Sequence, residues 1–213
     1  MQYKAIIFDL DGVLVFTDKY HYLAWKKLAD RLGIDFTEKD NDRLRGVSRE
    51  ESFDIILEKY QGDPIPEDKK KEYLEEKNDI YRESLGEMTK DDVTDEVRKT
   101  LLGLREAGYR LAIGSSSKNT AYILERCELT DAFDKVADGT MITRSKPDPE
   151  VFLKAAQFLG ENPSDCLVVE DADAGITAAH AAGMDAVAIG AAGSGRADYN
   201  ISSFKELLDI LCE

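Results

Sequence analysis

Two acidic pairs in the sequence could together form a cation site. Asp9 and Asp11 follow the apolar run AIIF, and Gly12 permits a sharp loop after them. Glu170 and Asp171 follow the apolar run LVV. If both runs are parallel strands, their carboxyl ends share a crevice of the kind where α/β sheets bind ligands. Such an oxygen-rich crevice suits Mg²⁺. Taken separately, the first pair could be an acidic turn and the second a helix N-terminus favoured by the macrodipole.

A second set of residues could bind phosphate. The sequence SSSKN at 115–119 follows the apolar run RLAIG, and Lys146 in SKPDPE precedes a predicted helix. Hydroxyls, backbone N–H groups and ammonium ions are the groups that recognise phosphate. An ordinary loop with a helix cap is the alternative for SSSKN, and a surface lysine is the alternative for Lys146.

A parallel sheet would bring these residues together, and the apolar pattern predicts one. Strands are predicted at Ala5–Phe8, Arg110–Ile113, Val136–Ala137, Leu167–Val169 and Ala186–Ile189. Helices are predicted between and after them at Glu96–Ala107, Asn119–Glu128, Pro149–Leu159 and Gly175–Ala182. The fold class is therefore α/β, with a doubly wound parallel-sheet, Rossmann-like core. Ser203 and Glu206 have capping-box spacing, which predicts a final surface helix.

The stretch from about residue 17 to 86 has a different, all-helical pattern. Its apolar residues at helical spacing are Leu23, Leu28 and Leu32, then Phe53, Ile56, Leu57 and Tyr60. We predict an α/β catalytic core of residues 1–16 and 87–213, with a helical cap of residues 17–86 inserted after the first strand. Such an insertion could act as a lid. The run GDPIPEDKKKE at 62–72 predicts a solvated loop and a helix start.

Composition limits the possible partners. With 28 basic and 43 acidic side chains, the formal charge is −15, which disfavours nucleic acid and anionic membranes as partners. Cys127, Cys166 and Cys212 are widely spaced and lack a CxxC pattern, so neither a disulfide framework nor a zinc site is predicted. The apolar runs are too short for a signal peptide or a membrane span, and a reducing, cytoplasmic location is expected.

The motifs FDLDG, SSSKN, SKPDP and VVED, in this order, resemble those of the haloacid dehalogenase superfamily of phosphotransferases. Within the helical stretch, TDKYHYLAWKKLADRLG, LRGVSREES and EKNDIY resemble the cap of the beta-phosphoglucomutases. Together these resemblances cover nearly the whole chain.

The resemblance implies roles for the core residues. Asp9 would be the nucleophile that becomes an aspartyl phosphate, and Asp11 would be the acid/base. Ser115 and Lys146 would hold the transferring phosphate, and Lys146 would keep Asp9 ionised. The implied Mg²⁺ ligands are Asp9, the backbone carbonyl of Asp11, Glu170 and Asp171.

The resemblance also implies a sugar-phosphate pocket. Arg49, which can bind oxygens bidentately, would hold the distal phosphate with Ser117, Lys118 and Asn119. Thr17 and His21 would influence Asp11 and cap closure. The other implied substrate-binding residues are Trp25, Arg45, Gly46, Val47, Ser48, Ser52, Lys77, Asn78 and Ser116. Residue type alone leaves two alternatives open, since His21 could be a packing residue and Trp25 a core residue.

Three positions depart from the family pattern. Phe16 stands where aspartate is common, Arg45 stands where a cap lysine is expected, and residues 94–96 replace a frequent Pro-Gly turn. None of the three removes a catalytic group. Arg45 bears on sugar specificity, because a guanidinium fork and a point charge bind oxygens differently.

The activity implied by the resemblance is that of a beta-phosphoglucomutase. Such an enzyme interconverts beta-D-glucose 1-phosphate and glucose 6-phosphate, with Mg²⁺ as cofactor and glucose 1,6-bisphosphate as activator and intermediate. The expected partners are small-molecule sugar phosphates, and a monomer is expected. A magnesium-dependent sugar-phosphate phosphatase is the alternative. A non-catalytic sensor is disfavoured, because it would need neither Asp9 nor Asp11.

Overall fold

The computed structural model describes residues 3–44, 47–190 and 195–211, and the chain divides into two compact units. One unit consists of Met1–Phe16 and Thr89–Glu213, and the other is Thr17–Met88. The helical unit therefore interrupts the α/β unit after its first strand, and it extends to residue 88 rather than 86. No helix within the described ranges is long and apolar enough to cross a membrane.

The described part of the α/β unit contains a six-stranded parallel sheet with the order β3-β2-β1-β4-β5-β6. Its strands are β1 (Ala5–Phe8), β2 (Arg110–Gly114), β3 (Lys135–Ala137), β4 (Cys166–Glu170), β5 (Asp185–Ile189) and β6 (Tyr199–Ile201). The predicted α/β class is confirmed, and the first five strands match their predicted bounds to within one residue. The last strand was not predicted, because Tyr199–Ile201 is only three residues long and buries only Ile201.

The register of the sheet aligns the ends of its central strands. Phe8, the last residue of β1, lies beside Ile113 of β2 and Val169 of β4. The chain builds the sheet outward from β1 in both directions, so the strand order reverses beside β1. Ligands bind at such a reversal in open α/β sheets.

The helices of both units are also defined among the described residues. They are α1 (Asp18–Arg31), α2 (Glu38–Asp42), α3 (Arg49–Leu57), α4 (Glu67–Leu85), α5 (Asp95–Glu106), α6 (Thr120–Arg126), α7 (Glu150–Leu159), α8 (Asp173–Ala181) and α9 (Glu206–Leu211). The predicted loop and helix start at 62–72 agree with the beginning of α4 at Glu67.

Helix α7 packs against β1, β2 and β3 through buried apolar residues. Phe152 of α7 is fully buried. A β-carbon on Gly114 would lie 2.6 Å from the Phe152 ring, so the absence of a side chain at 114 permits this contact. The helix is thus fixed close to the carboxyl ends of the central strands.

The helical unit has its own apolar core, and Leu23 does not belong to it. Trp25 and Phe53 are buried and stack with ring centroids 6.0 Å apart. Leu28 is buried with them, but Leu23 is 55% exposed. Five residues turn a helix by about 140° beyond a full turn, so Leu23 faces away from Leu28. Leu23 therefore lies outside the buried face of α1 that contains Leu28.

The capping box predicted before α9 is only half formed. Glu206 Oε1 accepts a hydrogen bond from the Ser203 N–H at 2.9 Å. The Ser203 hydroxyl, however, is buried without a hydrogen-bond partner among the described residues. Leu207 and Leu211 of the helix are buried, so packing stabilises it in addition to this single cap.

Candidate active site

Three carboxylates meet at the carboxyl ends of β1 and β4. Asp9 directly follows β1, and its N–H donates to the Val169 carbonyl of β4 at 3.0 Å. Glu170 is the last residue of β4, and Asp171 follows it. One oxygen from each of the three carboxylates lies within 4.8 Å of the others. Adjacent parallel strands thus bring residues 161 positions apart in the sequence into one acidic crevice.

Two glycines leave the space that these carboxylates occupy. Gly12 has a φ of +85°, and a β-carbon there would lie 2.0 Å from Asp171 Oδ2. A β-carbon on Gly175 of α8 would lie 1.8 Å from Glu170 Oε1. Neither position can therefore carry a side chain without moving an acidic group. The sequence indicated Gly12 only as a turn residue.

Lys146 is the cation of this crevice. Its Nζ donates to Asp9 Oδ1 at 2.5 Å and to Glu170 Oε1 at 2.6 Å. The residue is only 7% exposed, and Nζ lies 4.6 Å from the centroid of the Phe152 ring. The alternative of a surface lysine is therefore excluded. Burial lowers the pKa of Lys146, but the charges and hydrogen bonds of Asp9 and Glu170 outweigh it and raise that pKa.

The crevice holds more negative than positive charge. Burial, then the charges of Asp9 and Glu170, together raise the pKa of Asp171 to about 8, with Lys146 opposing the rise and Asp11 adding a smaller contribution to it. Burial also raises the pKa of Glu170. The three carboxylates share one ammonium ion and repel one another. A divalent cation bound between them would reduce this repulsion. Oxygen ligands at this spacing fit Mg²⁺, so Asp9, Glu170 and Asp171 could hold it.

Residues 115–119 form a compact loop after β2. The Ser115 N–H donates to the Ala137 carbonyl at 3.1 Å, which ties the start of the loop to β3. Ser115 Oγ accepts from the Ser117 N–H, and Ser117 Oγ accepts from the Asn119 N–H, both at 3.2 Å. Ser115 and Asn119 are buried, whereas Lys118 is exposed. The predicted phosphate-binding residues therefore form one locally hydrogen-bonded loop beside β1.

A second loop supports this one from the end of β3. The Gly139 N–H donates to the Ser117 carbonyl at 3.1 Å. A β-carbon on Gly139 would lie 2.2 Å from the Ser116 carbonyl oxygen, so the two backbones approach too closely for any side chain. The Ser116 hydroxyl is buried and has no hydrogen-bond partner within the described part of the chain.

In the helical unit, a separate group of predicted residues clusters around a buried lysine. Lys77 is 2% exposed, and its Nζ lies 4.6 and 4.7 Å from the ring centroids of Trp25 and Tyr81. The same Nζ is 3.0 Å from His21 Nδ1. Because an ammonium can only donate, Nδ1 must accept and the neutral ring carries its proton on Nε2. Burial, then the charges of Lys77 and Arg49, lower the pKa of His21 well below its ordinary value.

Arg49 belongs to the same group. Its Nη2 donates to Asn78 Oδ1 at 2.8 Å, and burial lowers its pKa. Arg49 is also close enough to His21 to act on the imidazole charge. The helical unit thus brings two cations, a neutral imidazole and an amide into one cluster. Trp25, one of the predicted sugar-binding residues, lies in the core beneath this cluster.

The remaining predicted residues have mainly local structural contacts. Ser48 Oγ accepts from the Glu51 N–H at 3.1 Å and caps α3. The buried Ser52 hydroxyl donates to the Ser48 carbonyl at 2.8 Å. Thr17, also buried, is the N-cap residue of α1, and Val47 is half-buried. The predictions for Arg45 and Gly46 lie outside the described residues.

Comparison with known proteins identifies the family. The family model described as haloacid dehalogenase-like hydrolase matches residues 3–183. The chain belongs to the haloacid dehalogenase-like hydrolase family. The resemblance found in the sequence is therefore confirmed, and the protein is an enzyme of this family.

Relatives of the chain within the haloacid dehalogenase-like family include mutases and phosphatases. A beta-phosphoglucomutase from Bacillus subtilis is 40% identical over 88% of this chain and 83% of its own length. A phosphorylated carbohydrates phosphatase from Thermotoga maritima is 31% identical over 86% of this chain and 83% of its own. A crystal structure of beta-phosphoglucomutase from Clostridium difficile has a TM-score of 0.88 and 38% identity, covering 96% of this chain and 93% of that one.

Some residues that shape this haloacid dehalogenase-like site were not predicted from the sequence. Gly139 and Gly175 are needed because groups from other parts of the chain approach their backbone too closely for a side chain. No local sequence pattern encodes such an approach. The available signal was a glycine just after a strand for Gly139 and a glycine at the start of a helical pattern for Gly175. Glu150, whose carboxylate binds the loop that carries Lys146, showed no signal beyond an acidic residue near a helix start.

Proposed function

We propose that the chain is a magnesium-dependent beta-phosphoglucomutase. The observation that carries the phosphoryl-transfer part is the burial of Lys146 between Asp9 and Glu170. A buried ammonium that touches the nucleophile candidate offers a positive charge to a transferred phosphoryl group. The similarity to two beta-phosphoglucomutases supports the choice of reaction.

In the proposed mechanism, Asp9 attacks the phosphorus of a bound glucose 1,6-bisphosphate and the P–O bond to the sugar breaks. Asp11 protonates the departing sugar oxygen, and an aspartyl phosphate remains on Asp9. After the sugar phosphate is exchanged or turned, Asp11 removes the proton from the incoming hydroxyl, which takes the phosphoryl group back. Ser115 and Lys146 hold the phosphoryl oxygens throughout. Bound Mg²⁺ would neutralise phosphoryl charge, held by Asp9, Glu170, Asp171 and the Asp11 carbonyl.

A mutase, unlike a phosphatase, must transfer the phosphoryl group to sugar rather than to water. Water at about 55 M competes with sugar phosphate at about 1 mM, so the required discrimination is about 10⁴ to 10⁵, or roughly 6 kcal/mol in barrier. Such discrimination needs binding groups for the second phosphate and the sugar. We propose Arg49 and Asn78 for the phosphate, with Lys77 and His21 nearby, because this cluster is cationic and polar. The helical unit would then serve as the cap.

A sugar-phosphate phosphatase with the same aspartyl phosphate is the second candidate. It is favoured by the phosphatases among the relatives, including a fructose-1-phosphate phosphatase from Escherichia coli that is 32% identical over 87% of this chain. The two candidates share every step up to the aspartyl phosphate and differ in the acceptor.

The deciding experiment follows two products in one reaction. Purified protein is incubated with Mg²⁺, beta-D-glucose 1-phosphate and a trace of glucose 1,6-bisphosphate, and glucose 6-phosphate and inorganic phosphate are measured in parallel. Rapid formation of glucose 6-phosphate with negligible phosphate is the result expected of the mutase. Dominant release of phosphate would reject the mutase in favour of the phosphatase.

Two aspartate variants test the assigned nucleophile. Asp9→Asn should abolish formation of both products, because an amide cannot form the aspartyl phosphate. Asp173→Asn is the matched control, since Asp173 is an exposed residue of the first turn of α8 outside the acidic crevice. It should retain full activity.

A further inference from the structure

The segment that carries Lys146 lies between two regular elements and belongs to neither. Strand β3 ends at Ala137, and α7 begins at Glu150. Residues 141–149 between them form turns and bends and belong to no helix or strand. Yet Lys146 Nζ lies within 2.6 Å of two carboxylate oxygens at the carboxyl ends of β1 and β4. Other contacts must therefore fix the backbone of this segment.

The carboxylate of Glu150 provides these contacts. Its Oε2 accepts three hydrogen bonds, from the Thr143 N–H, the Thr143 hydroxyl and the Arg144 N–H, each at 2.9 Å. The two backbone N–H groups lie two and three residues before Lys146. Glu150 itself is in the first turn of α7, whose Phe152 packs against Lys146. One carboxylate oxygen thus joins the segment to a helix that is fixed on the sheet.

A second acidic residue completes the link at the other end of the segment. Asp148 Oδ1 accepts from the Glu150 N–H at 3.0 Å, and the Asp148 N–H donates to the Ser145 carbonyl at 3.0 Å. Hydrogen bonds therefore connect Thr143 to Glu150, Glu150 to Asp148 and Asp148 to Ser145. Lys146 lies within the backbone loop that these bonds close. The hydrogen bonds from the Thr143 and Arg144 N–H groups lower the pKa of Glu150, which keeps its carboxylate an acceptor.

We propose that Glu150 is a positioning residue for phosphoryl transfer, which holds the segment 143–146 so that Lys146 bridges Asp9 and Glu170. This inference rests on the proposed function, because that function requires Lys146 to hold the oxygens of the transferred phosphoryl group. Within the described part of the chain, the Glu150 side chain contacts Thr143, Arg144 and, at 3.8 Å, the ammonium of Lys154, so it acts through the segment.

The test compares three variants with the intact protein. Glu150→Ala removes all three hydrogen bonds and should lower kcat about 10- to 100-fold. This is the usual effect of removing a group that orients the residues of a functional site. The KM for the sugar phosphate should change less than about twofold, because the sugar-binding groups are untouched. Glu150→Gln keeps one oxygen acceptor and should restore most of kcat. Lys154→Ala, which removes the other neighbour of the same carboxylate, should behave as the wild type.

A binding measurement separates positioning from a general loss of stability. Beryllium fluoride with Mg²⁺, titrated calorimetrically, mimics the phosphoryl group on an aspartate without turnover. Its Kd should rise in Glu150→Ala by a factor similar to the fall in kcat, at a temperature well below the unfolding midpoint. If Glu150→Ala unfolds, Thr143→Val, which removes only the hydroxyl donor, should show a smaller change in the same direction.

Three results from the variants would overturn the inference. One is unchanged kcat and beryllium fluoride binding in Glu150→Ala, or in Thr143→Val if the alanine variant does not fold. Another is an equal loss in Glu150→Gln and Glu150→Ala, which would indicate a charge effect. The third is an equal loss in Lys154→Ala. If the wild type itself fails to bind beryllium fluoride with Mg²⁺, the proposed nucleophile is wrong and the inference fails with it.

Discussion

A β-carbon on Gly175 would lie 1.8 Å from Glu170 Oε1, so the start of α8 and the acidic crevice share one small volume. Glu170 cannot easily move away. It is 2% exposed, and it accepts hydrogen bonds from Lys146 Nζ and from the N–H groups of Asp171 and Ala172. The absence of a side chain at 175 is therefore a condition for the geometry of the crevice.

Gly175→Ala is expected to damage both stability and metal binding. The new methyl group should lower the free energy of unfolding by about 1–3 kcal/mol, the usual effect of overpacking, and displace Glu170. Thermal unfolding and the Mg²⁺ concentration needed for half-maximal activity are the measurements. Gly103→Ala in α5 is the matched control, because the nearest atoms to its methyl would be those of the flexible Leu208 side chain, at 3.3 Å or more. A wild-type Mg²⁺ requirement in Gly175→Ala would contradict the prediction.

Replacing Lys146 by methionine should leave two buried carboxylates without their cation. We expect the metal-free protein to lose about 3–5 kcal/mol of stability, as for a broken buried ion pair. Added Mg²⁺ should recover part of the loss, because it supplies positive charge to the same carboxylates. Turnover should fall about 10²- to 10³-fold, the effect of removing one donor to the transition state. Denaturant titrations with and without Mg²⁺ check this, and Lys154→Met should show neither change.

Asp171→Asn should have opposite effects on metal-free and metal-bound protein. The folded pKa of Asp171, about 8, is above its unfolded value of 3.8, so the native state holds this proton more tightly. Stability of the metal-free wild type therefore declines as pH rises from about 4 to about 8, and the asparagine variant lacks this decline. Unfolding midpoints in chelator should be higher for the variant at pH 8. With Mg²⁺ the order should reverse, because the variant has lost a ligand.

The stability of the protein below neutral pH should depend on His21. Its folded pKa is well below 6.5, so its contribution is fully present above pH 6.5 and is lost as pH falls below that value. The slope can reach about 1.4 kcal/mol per pH unit, since the unfolded state takes up one more proton. Denaturant unfolding at pH 7, 6 and 5 should show a smaller slope for His21→Asn. His180→Asn, which changes an exposed histidine, should retain the His21 contribution, and an unchanged slope in His21→Asn would contradict the assignment.

Much of the fold could be predicted because its strands are continuous apolar runs. β1, β2 and β4 are buried along nearly their whole length, and burial on both faces produces such runs. The edge strand β6 is short and buries only Ile201, so it has no such signal. In α1, Leu23 and Leu28 are both apolar, but Leu23 is exposed and Leu28 is buried. Only their different angular positions around the helix axis distinguish them.

The candidate site was predictable where chemistry depends on residue type and strand position, as for Asp9 and Glu170. It was not predictable where function depends on the space between distant residues. Gly139 matters because of a carbonyl more than twenty residues away, and Glu150 matters because a segment folds back onto its carboxylate. The burial of Lys146 is of the same kind, since its sequence context also fits a surface lysine.

The pairing of Lys146 with Asp9 has a consequence for the synthesis of the protein. The two residues are 137 positions apart, so a ribosome that adds 5–20 residues per second needs roughly 7–27 s to make the second after the first. During that time β4, one of the two strands that pair with β1, has not been made, and Asp9 lacks the ammonium of Lys146. The nascent chain can therefore complete the helical unit long before it can hold a phosphoryl group, and no shortened chain that ends before Lys146 can be active.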